Sequence, residues 1–425
     1  MAKISVIGTG YVGLTSGACF ASLGHEVTCA DIDADKIARL NRGEIPIVEA
    51  GLQAVVEEAV EAENLSFVVG AQTAAKDAEF HYLCVPTPQS EDGSADLTYL
   101  TAAAEEIAPL LPAGSVVVNK STVPVGSTTV VSQALNRDDV FVVSNPEFLR
   151  EGTAVSDFLD PDRVVIGADD HDAAVRVASL YAKIAAPILI TDPLSAELIK
   201  YASNAFLASK LSYINAIGEI CERVGANVDD VVKGVGADHR IGNNFLSPGP
   251  GWGGSCFPKD TVALRRIAQD AGYEFNFLDE VLNINEEQFE RVAQKVIDSA
   301  SSDKVAVFGL TFKAGTDDLR NSPAIEVAQR LVAAGLEVAA YDPVIDLAAL
   351  ERSVPNLGVK VETDPYSAAK DASVVAILTE WSEFNELDFA KLAEVMTKPA
   401  IVDARGILNP KLLSRKGFSY RGISS

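Results

Sequence analysis

Residues 251–260 read GWGGSCFPKD, so that Cys256 closes a glycine run and Pro258 follows two positions later. Glycines mark backbone that must come close to something, and the proline marks a helix that begins at about that point. The thiol is therefore expected at a helix N-terminus, where ionisation to the thiolate is favoured. Asp260, four residues on, falls on the same side of that helix. A second pair, Lys200 and Asn204, is also four residues apart and so shares a face. Both lie in the stretch 195–224, which lacks proline, has Gly218 as its only glycine, and is apolar on more than one side. Such a helix is largely buried, and a buried ammonium needs a partner or a task. The segment NPEFLREG adds two carboxylates, Glu147 and Glu151.

These residue types suit an oxidation that goes beyond alcohol to aldehyde. An aldehyde gives up a second hydride only after a nucleophile has added to it, and a thiolate adds well. The resulting oxyanion needs donors, which Lys200 and Asn204 supply, and the thioester left behind needs a carboxylate to activate water, which Glu147 or Glu151 supplies. Asp260 is placed to orient the lysine or a water.

A hydride acceptor is written into the first thirty residues. KISVIG is a short buried strand, Gly8-Thr-Gly10-Tyr-Val-Gly13 follows it and opens a helix, and HEVTCAD is a second strand that ends at Asp31. Strand, glycine turn, helix, strand and acid together form the dinucleotide fingerprint. A carboxylate at Asp31 suits the ribose hydroxyls and repels a 2′-phosphate, which predicts NAD and not NADP. Asp33 beside it reads as a loop carboxylate. Further strands are expected at 80–85, 115–119, 140–143, 164–166 and 188–190, and the polar or proline-rich loops VPTP, KSTVPVG and NPEFLREG sit where open parallel sheets bind ligands.

The C-terminal third repeats the opening. DKVAVFG at 303–309 matches AKISVIG, and the helix-like stretch 324–342 matches GACFASLGHEVTCAD in pattern. Between them stands LTFKAGTDDLRNSP, a longer loop carrying Lys313 and Arg320, suited to the phosphates of a sugar nucleotide. Strands at 374–378 and 401–402 continue this part, the latter running into Asp403-Ala-Arg405. The fold expected is α/β: two Rossmann-like doubly wound domains joined by a long central helix. The boundaries are 1–194 for NAD, 195–300 for the linking helix and a dimer interface, and 301–425 for the sugar nucleotide.

Composition narrows the function classes. A formal charge of -25 excludes nucleic acid and an anionic membrane as partners, because both need a basic face. No apolar run approaches the roughly 18 residues that span a bilayer, and the start MAKISVIGTG is strand-like instead of a leader, so the chain is expected in the cytoplasm. The five cysteines are scattered without CxxC spacing, which gives neither a disulfide framework nor a metal site. Cys19, Cys29, Cys84 and Cys221 read as core, and His25, His81, His171 and His239 as structural.

Taken in order, GTGYVG, VPTP, STVPVG, NPEFLREG, ELIKYASNAFLA, RIGNNFLSPGPGWGGSCFPKD, FKAGTDDLRNSP and DARGIL closely resemble the UDP-glucose 6-dehydrogenases, within the nucleotide-sugar dehydrogenases. That resemblance implies oxidation of a sugar 6-hydroxymethyl group to the carboxylate with NAD, and a homodimer built on the long helix. It implies Cys256 as nucleophile, Lys200, Asn204 and Asp260 as oxyanion and water-handling residues, Glu147 as hydrolytic base and Thr122 as a residue orienting the water. On the cofactor side it implies Gly8, Gly10, Tyr11, Val12 and Gly13, then Asp31 and Lys36. Pro86, Thr87, Ser121, Thr122, Glu151, Lys259 and Arg320 complete that side. UDP-glucose is expected against Glu147, Phe148, Leu149, Lys200, Asn204, Phe245, Gly253, Lys313 and Arg405, with Arg240 reaching a neighbouring subunit's site. Alternatives are another sugar nucleotide, such as GDP-mannose or UDP-N-acetylmannosamine, or an NAD-binding regulator without turnover. Ser255 stands where the N-acetylmannosamine enzymes tend to carry a histidine, which favours glucose.

Overall fold

The computed structural model describes residues 1–90 and 93–424. Contacts divide the chain into two units, Met1–Ser203 with Val262–Ala271, and Asn204–Thr261 with Gly272–Ser425.

The first unit is built on strands β1 (Lys3–Ile7), β2 (Glu26–Asp31), β3 (Leu65–Val69), β4 (Phe80–Leu83), β5 (Val116–Asn119), β6 (Phe141–Ser144), β7 (Val164–Ala168) and β8 (Ile188–Thr191). Their order in the sheet is β3-β2-β1-β4-β5-β6-β7-β8. The first six are parallel in the order of a doubly wound dinucleotide fold, with the switch point between β1 and β4. Strand β7 then turns antiparallel to β6. Both faces are covered, so apolar residues alternate between two cores: Val6, Tyr82 and Val118 on one side, Ile7, Leu83 and Val117 on the other.

The second unit carries β9 (Lys304–Phe308), β10 (Glu337–Tyr341), β11 (Val359–Val361), β12 (Val375–Ile377), β13 (Ala400–Asp403) and β14 (Ser419–Gly422), in the order β11-β10-β9-β12-β13-β14. It is the same topology, and the same alternation recurs, with Val305 and Val307 facing one core and Ala306 and Phe308 the other. The repeat reaches single residues. Gly8 (φ +99°) and Gly309 (φ +91°) both end their first strand in a backbone conformation that side chains resist. Their amides donate to equivalent carbonyls, Ala30 at 2.7 Å and Tyr341 at 2.8 Å.

The stretch 324–342 is not one helix. It resolves into a helix Pro323–Ala333, a turn at Gly335 (φ +86°) and β10. The expected long helix spans Pro193–Val224, starting on a proline, as a first helical position allows. Among the described residues no helix is long and apolar enough to cross a membrane.

Candidate functional site

In the first unit β1 delivers the chain to Gly8 and the helix Tyr11–Ser22. A Cβ on Gly13 would stand 1.9 Å from the Gly8 carbonyl oxygen, so only glycine lets the helix start this close to the strand. At Gly10, which is exposed, no atom lies within 4 Å of a Cβ position. The helix has no side-chain cap and no acid in its first turn. An uncapped N-terminus behind an open glycine is the cradle a pyrophosphate fits.

Asp31 ends β2 with its carboxylate turned to this cradle. Oδ2 accepts from the Thr9 amide (2.9 Å), the Thr9 hydroxyl (2.6 Å) and Lys36 Nζ (3.0 Å), and Oδ1 from the Asp33 amide (3.1 Å). Burial pushes its pKa up, but these donors outweigh it and hold the group down to about 2. Oδ1 keeps capacity for a further donor such as a ribose hydroxyl. These residues fit NAD. The proline-rich loops meet beside them: Thr87 Oγ1 donates to the Thr122 carbonyl (2.8 Å) and Ser121 Oγ to that of Val85 (2.7 Å), while Pro86 is exposed.

Glu147 and Lys200 come together as a buried ion pair of 2.9 Å, with 5% and 3% of their side chains exposed. Glu147 also accepts from the Leu149 amide (2.6 Å), and the Phe148 ring lies 5.4 Å from the Lys200 ammonium and 3.6 Å from Arg163. Burial alone would raise the Glu147 carboxyl. The Lys200 charge and hydrogen bond, the Leu149 amide and the more distant Lys120 charge reverse that and hold it below the usual carboxylate range.

The loop after Glu147 is fastened by Glu49, which the sequence did not single out. Glu49 accepts from the amides of Gly152 (2.6 Å) and Ala154 (2.8 Å) and from the Tyr11 hydroxyl. It thus ties the loop carrying Glu147 and Glu151 to the first residue of the helix behind the glycine turn. Its only sequence signal was an acid in an otherwise apolar stretch, IVEAG.

In the second unit Asn204, one turn beyond Lys200 on the same helix, donates to Asp260 Oδ2 (2.6 Å), and Lys259 Nζ lies 2.6 Å from Oδ1. Asp260 is fully buried. Cys256 is half-buried and immediately precedes the helix Phe257–Asp270, where its carbonyl takes the first helical hydrogen bond from the Asp260 amide (3.0 Å). Ser255 Oγ lies 3.5 Å from its sulfur. The other four cysteines are buried.

The glycine run before Cys256 approaches its own chain. A Cβ on Gly253 would fall 1.9 Å from the Asn321 carbonyl oxygen, and one on Gly254 (φ +82°) 2.8 Å from the Phe312 ring. The thiol loop is therefore seated on the loop that carries Lys313 and Arg320. Lys313 is half-buried. Arg405 donates to the carbonyls of Leu378 (2.8 Å) and Phe312 (3.4 Å) and pairs with Glu380 (3.1 Å), so it braces the same loop from the end of β13. Phe245, at φ +61°, sets its ring 6.0 Å from that of Phe257. Arg320 and Arg240 are exposed and each grips a nearby aspartate, Asp318 (2.7 Å) and Asp238 (2.6 Å).

Three family models match in succession: the NAD binding domain of the UDP-glucose/GDP-mannose dehydrogenase family over residues 2–185, its central domain over 194–287 and its UDP binding domain over 306–410. The chain is 46% identical to a UDP-glucose 6-dehydrogenase of Rhizobium meliloti, over 99% of each chain. With one of Bacillus subtilis it shares 45% identity, over 100% of this chain and 93% of the relative. A solved UDP-glucose dehydrogenase from Pyrobaculum islandicum, 37% identical, superposes with a TM-score of 0.90 over 100% of this chain and 98% of the other. With its cofactor turn, paired Rossmann sheets and cysteine loop matched along the whole length, the chain belongs to the UDP-glucose/GDP-mannose dehydrogenase family.

Proposed function

We propose that the chain oxidises UDP-glucose to UDP-glucuronate in two NAD-dependent steps. The observation that carries this reading is Cys256 at the head of its helix, with the glycine run before it seated on the Lys313 loop. The names of the full-length relatives support the choice of substrate.

NAD supplies the hydride acceptor. Gly8, Gly10, Tyr11, Val12, Gly13 and Asp31 hold it, with Lys36, Pro86, Thr87, Ser121, Glu151, Lys259 and Arg320 around it. Lys313 and Arg405 provide the local positive charge that an acidic chain must concentrate on a nucleoside diphosphate. Phe148, Leu149, Phe245 and Gly253 border the sugar, and Arg240 approaches it from a second subunit. In the first step C6 loses a hydride and the hydroxyl proton passes to a water oriented by Asp260. The Cys256 thiolate then adds to the aldehyde carbon, forming a C–S bond. The oxyanion is stabilised by Lys200 and by the amide hydrogen that Asn204 does not give to Asp260. Loss of the second hydride leaves a thioester on Cys256. Glu147 takes a proton from the attacking water, which Thr122 orients, and cleavage of the C–S bond returns the thiolate.

On this reading residues 1–194 serve NAD, 301–425 serve the UDP-sugar, and 195–300 link them and form a homodimer in the cytoplasm. Phe206, Tyr213 and Ile220 recur every seven residues along the long helix with 66%, 55% and 53% of their surface exposed, a stripe suited to pairing with its copy. NADH release against a panel of nucleotide sugars tests the function. Two NADH and one UDP-glucuronate per UDP-glucose are expected, and faster turnover of GDP-mannose or UDP-N-acetylmannosamine overturns the substrate.

A further inference from the structure

A second buried lysine lies behind the Glu147–Lys200 pair, in the first unit. Lys120 follows β5 and is 4% exposed. Its ammonium donates to Asn145 Oδ1 (3.1 Å) and to the Tyr181 hydroxyl (3.3 Å), and lies 5.9 Å and 5.8 Å from the rings of Phe158 and Tyr181. Asn145, two residues before Glu147, is itself held on both sides: its oxygen also accepts from Tyr181 (2.6 Å) and its amide donates to the Val165 carbonyl (2.7 Å). Every direct partner of Lys120 is neutral, and among the described residues no carboxylate lies within ion-pair distance of it. A buried ammonium held by dipoles alone is unfavourable unless a carboxylate compensates it through space.

The titratable groups that face Lys120 are Glu147, Lys200, Cys84 and Tyr181, with Tyr82 beyond Tyr181. Burial pushes the Cys84 thiol up to about 12 and the two phenols above their ordinary value, so all three stay neutral near pH 7. Glu147 is the one anion in the set. We propose that Lys120 is a positioning residue for thioester hydrolysis: it anchors the root of the Glu147 loop through Asn145 and, with Lys200, flanks Glu147 with positive charge. This rests on Glu147 being the hydrolytic base. Burial pulls Lys120 itself down to about 8, with the Glu147 charge opposing that fall. Lys120 is therefore charged below pH 8 and loses its charge above it, and Glu147, held low while that charge is present, then becomes a readier proton acceptor. Because the two groups interact, each must shift the other equally.

The test is the titration of Glu147, followed by carbon-13 NMR of carboxyl-labelled glutamate and assigned by difference from Glu147→Gln. Lys120→Met should raise the Glu147 midpoint by about 0.5–1.5 pH units, as expected for loss of one nearby charge. The acidic limb of kcat should move in the same direction with both KM values unchanged. Lys120→Arg, charged at every pH, should hold the midpoint near the parent's. If Lys120→Met does not fold, the Lys120 midpoint read from carbon-13 lysine in Glu147→Gln should fall below the parent's. An unmoved Glu147 midpoint in folded Lys120→Met, or an unmoved Lys120 midpoint in Glu147→Gln, overturns the proposal. The NMR needs no turnover, so it stays decisive if the protein fails to oxidise UDP-glucose. A shifted midpoint with unchanged hydrolysis would sustain the Lys120–Glu147 link and overturn the base role of Glu147.

Discussion

Asp31 and Asp342 occupy the same place in two copies of one design, and their surroundings separate a cofactor site from a scaffold. Oδ2 of Asp31 accepts from the Thr9 amide and hydroxyl, and Oδ1 from the amide two residues on. Oδ2 of Asp342 accepts from the Thr311 amide (2.9 Å) and hydroxyl (2.9 Å), and Oδ1 likewise from Val344 two residues on (3.2 Å). The remaining partners differ. Asp31 is met by the ammonium of Lys36, itself 25% exposed, and is 14% exposed. Asp342 is closed off by the Leu310 amide (2.8 Å) and the Trp381 indole (3.3 Å) and is buried. The turns differ in the same sense. Residues 9–10 lead from Gly8 straight to an uncapped helix, whereas residues 310–322 lead from Gly309 to a helix capped by Ser322, whose hydroxyl accepts from the Ala324 amide (3.2 Å). One copy leaves its helix N-terminus and its acid available. The other satisfies both internally and uses the lengthened loop to carry Lys313.

If that contrast holds, equivalent substitutions have unlike consequences. Asp342→Ala strands buried donors and should cost about 3–5 kcal/mol of stability, with the NAD-to-NADP ratio of kcat/KM unchanged. Asp31→Ala should cost less stability and shift that ratio toward NADP by about 1–3 kcal/mol, because Lys36 is released toward a 2′-phosphate. Thermal unfolding and the two kcat/KM values check both, and equal effects would break the comparison. Lys313→Ala should raise KM for UDP-glucose by about 2 kcal/mol, some thirtyfold, and leave KM for NAD nearly unchanged.

Glu49→Gln bears on how the cofactor turn holds the Glu147 loop. Losing a charged acceptor for two amides and a phenol should lower kcat by about 1–2 kcal/mol with a smaller rise in KM for NAD. An unaltered kcat would reduce Glu49 to a helix cap. The smallest effect concerns pH. Asp31 falls from an ordinary 3.8 to about 2 in the folded chain, so its stabilisation is complete above pH 3.8 and lost as the pH falls toward 2. Asp31→Asn should remove about 1–2 kcal/mol of that slope from acid unfolding.

The sequence carried what depends on local pattern. The glycine turn, the acid at the end of β2, the buried face of Lys200 and Asn204, and the helix start at Cys256 all follow from spacing and residue type. Strands β3, β10, β11 and β14 were not anticipated: β10 lies in the stretch that reads as helix-like, β11 has only three residues, and at their sheet edges β11 and β14 carry polar residues in place of the apolar runs of central strands. The antiparallel turn of β7 depends on which strand it meets, which no local pattern records. Glu49 and Lys120 escaped for the same reason, since their meaning lies in partners distant in the chain, Ala154 at 105 residues and Tyr181 at 61. The lysine that ends the apolar run VVVNK was a usable signal of the kind that marked Lys200. The glycines at 253 and 254 signal close approach in the sequence, but their target, the Lys313 loop, is set by the fold.

The account stands on Cys256 as the nucleophile of the second oxidation, and the most direct measurement is NADH and UDP-glucuronate formed per UDP-glucose by Cys256→Ala. A small side chain at a helix start contributes little core, so the variant should unfold at the parent's temperature while UDP-glucuronate formation falls by about a thousandfold or more. Release of two NADH per UDP-glucose at a rate near the parent's would contradict the account.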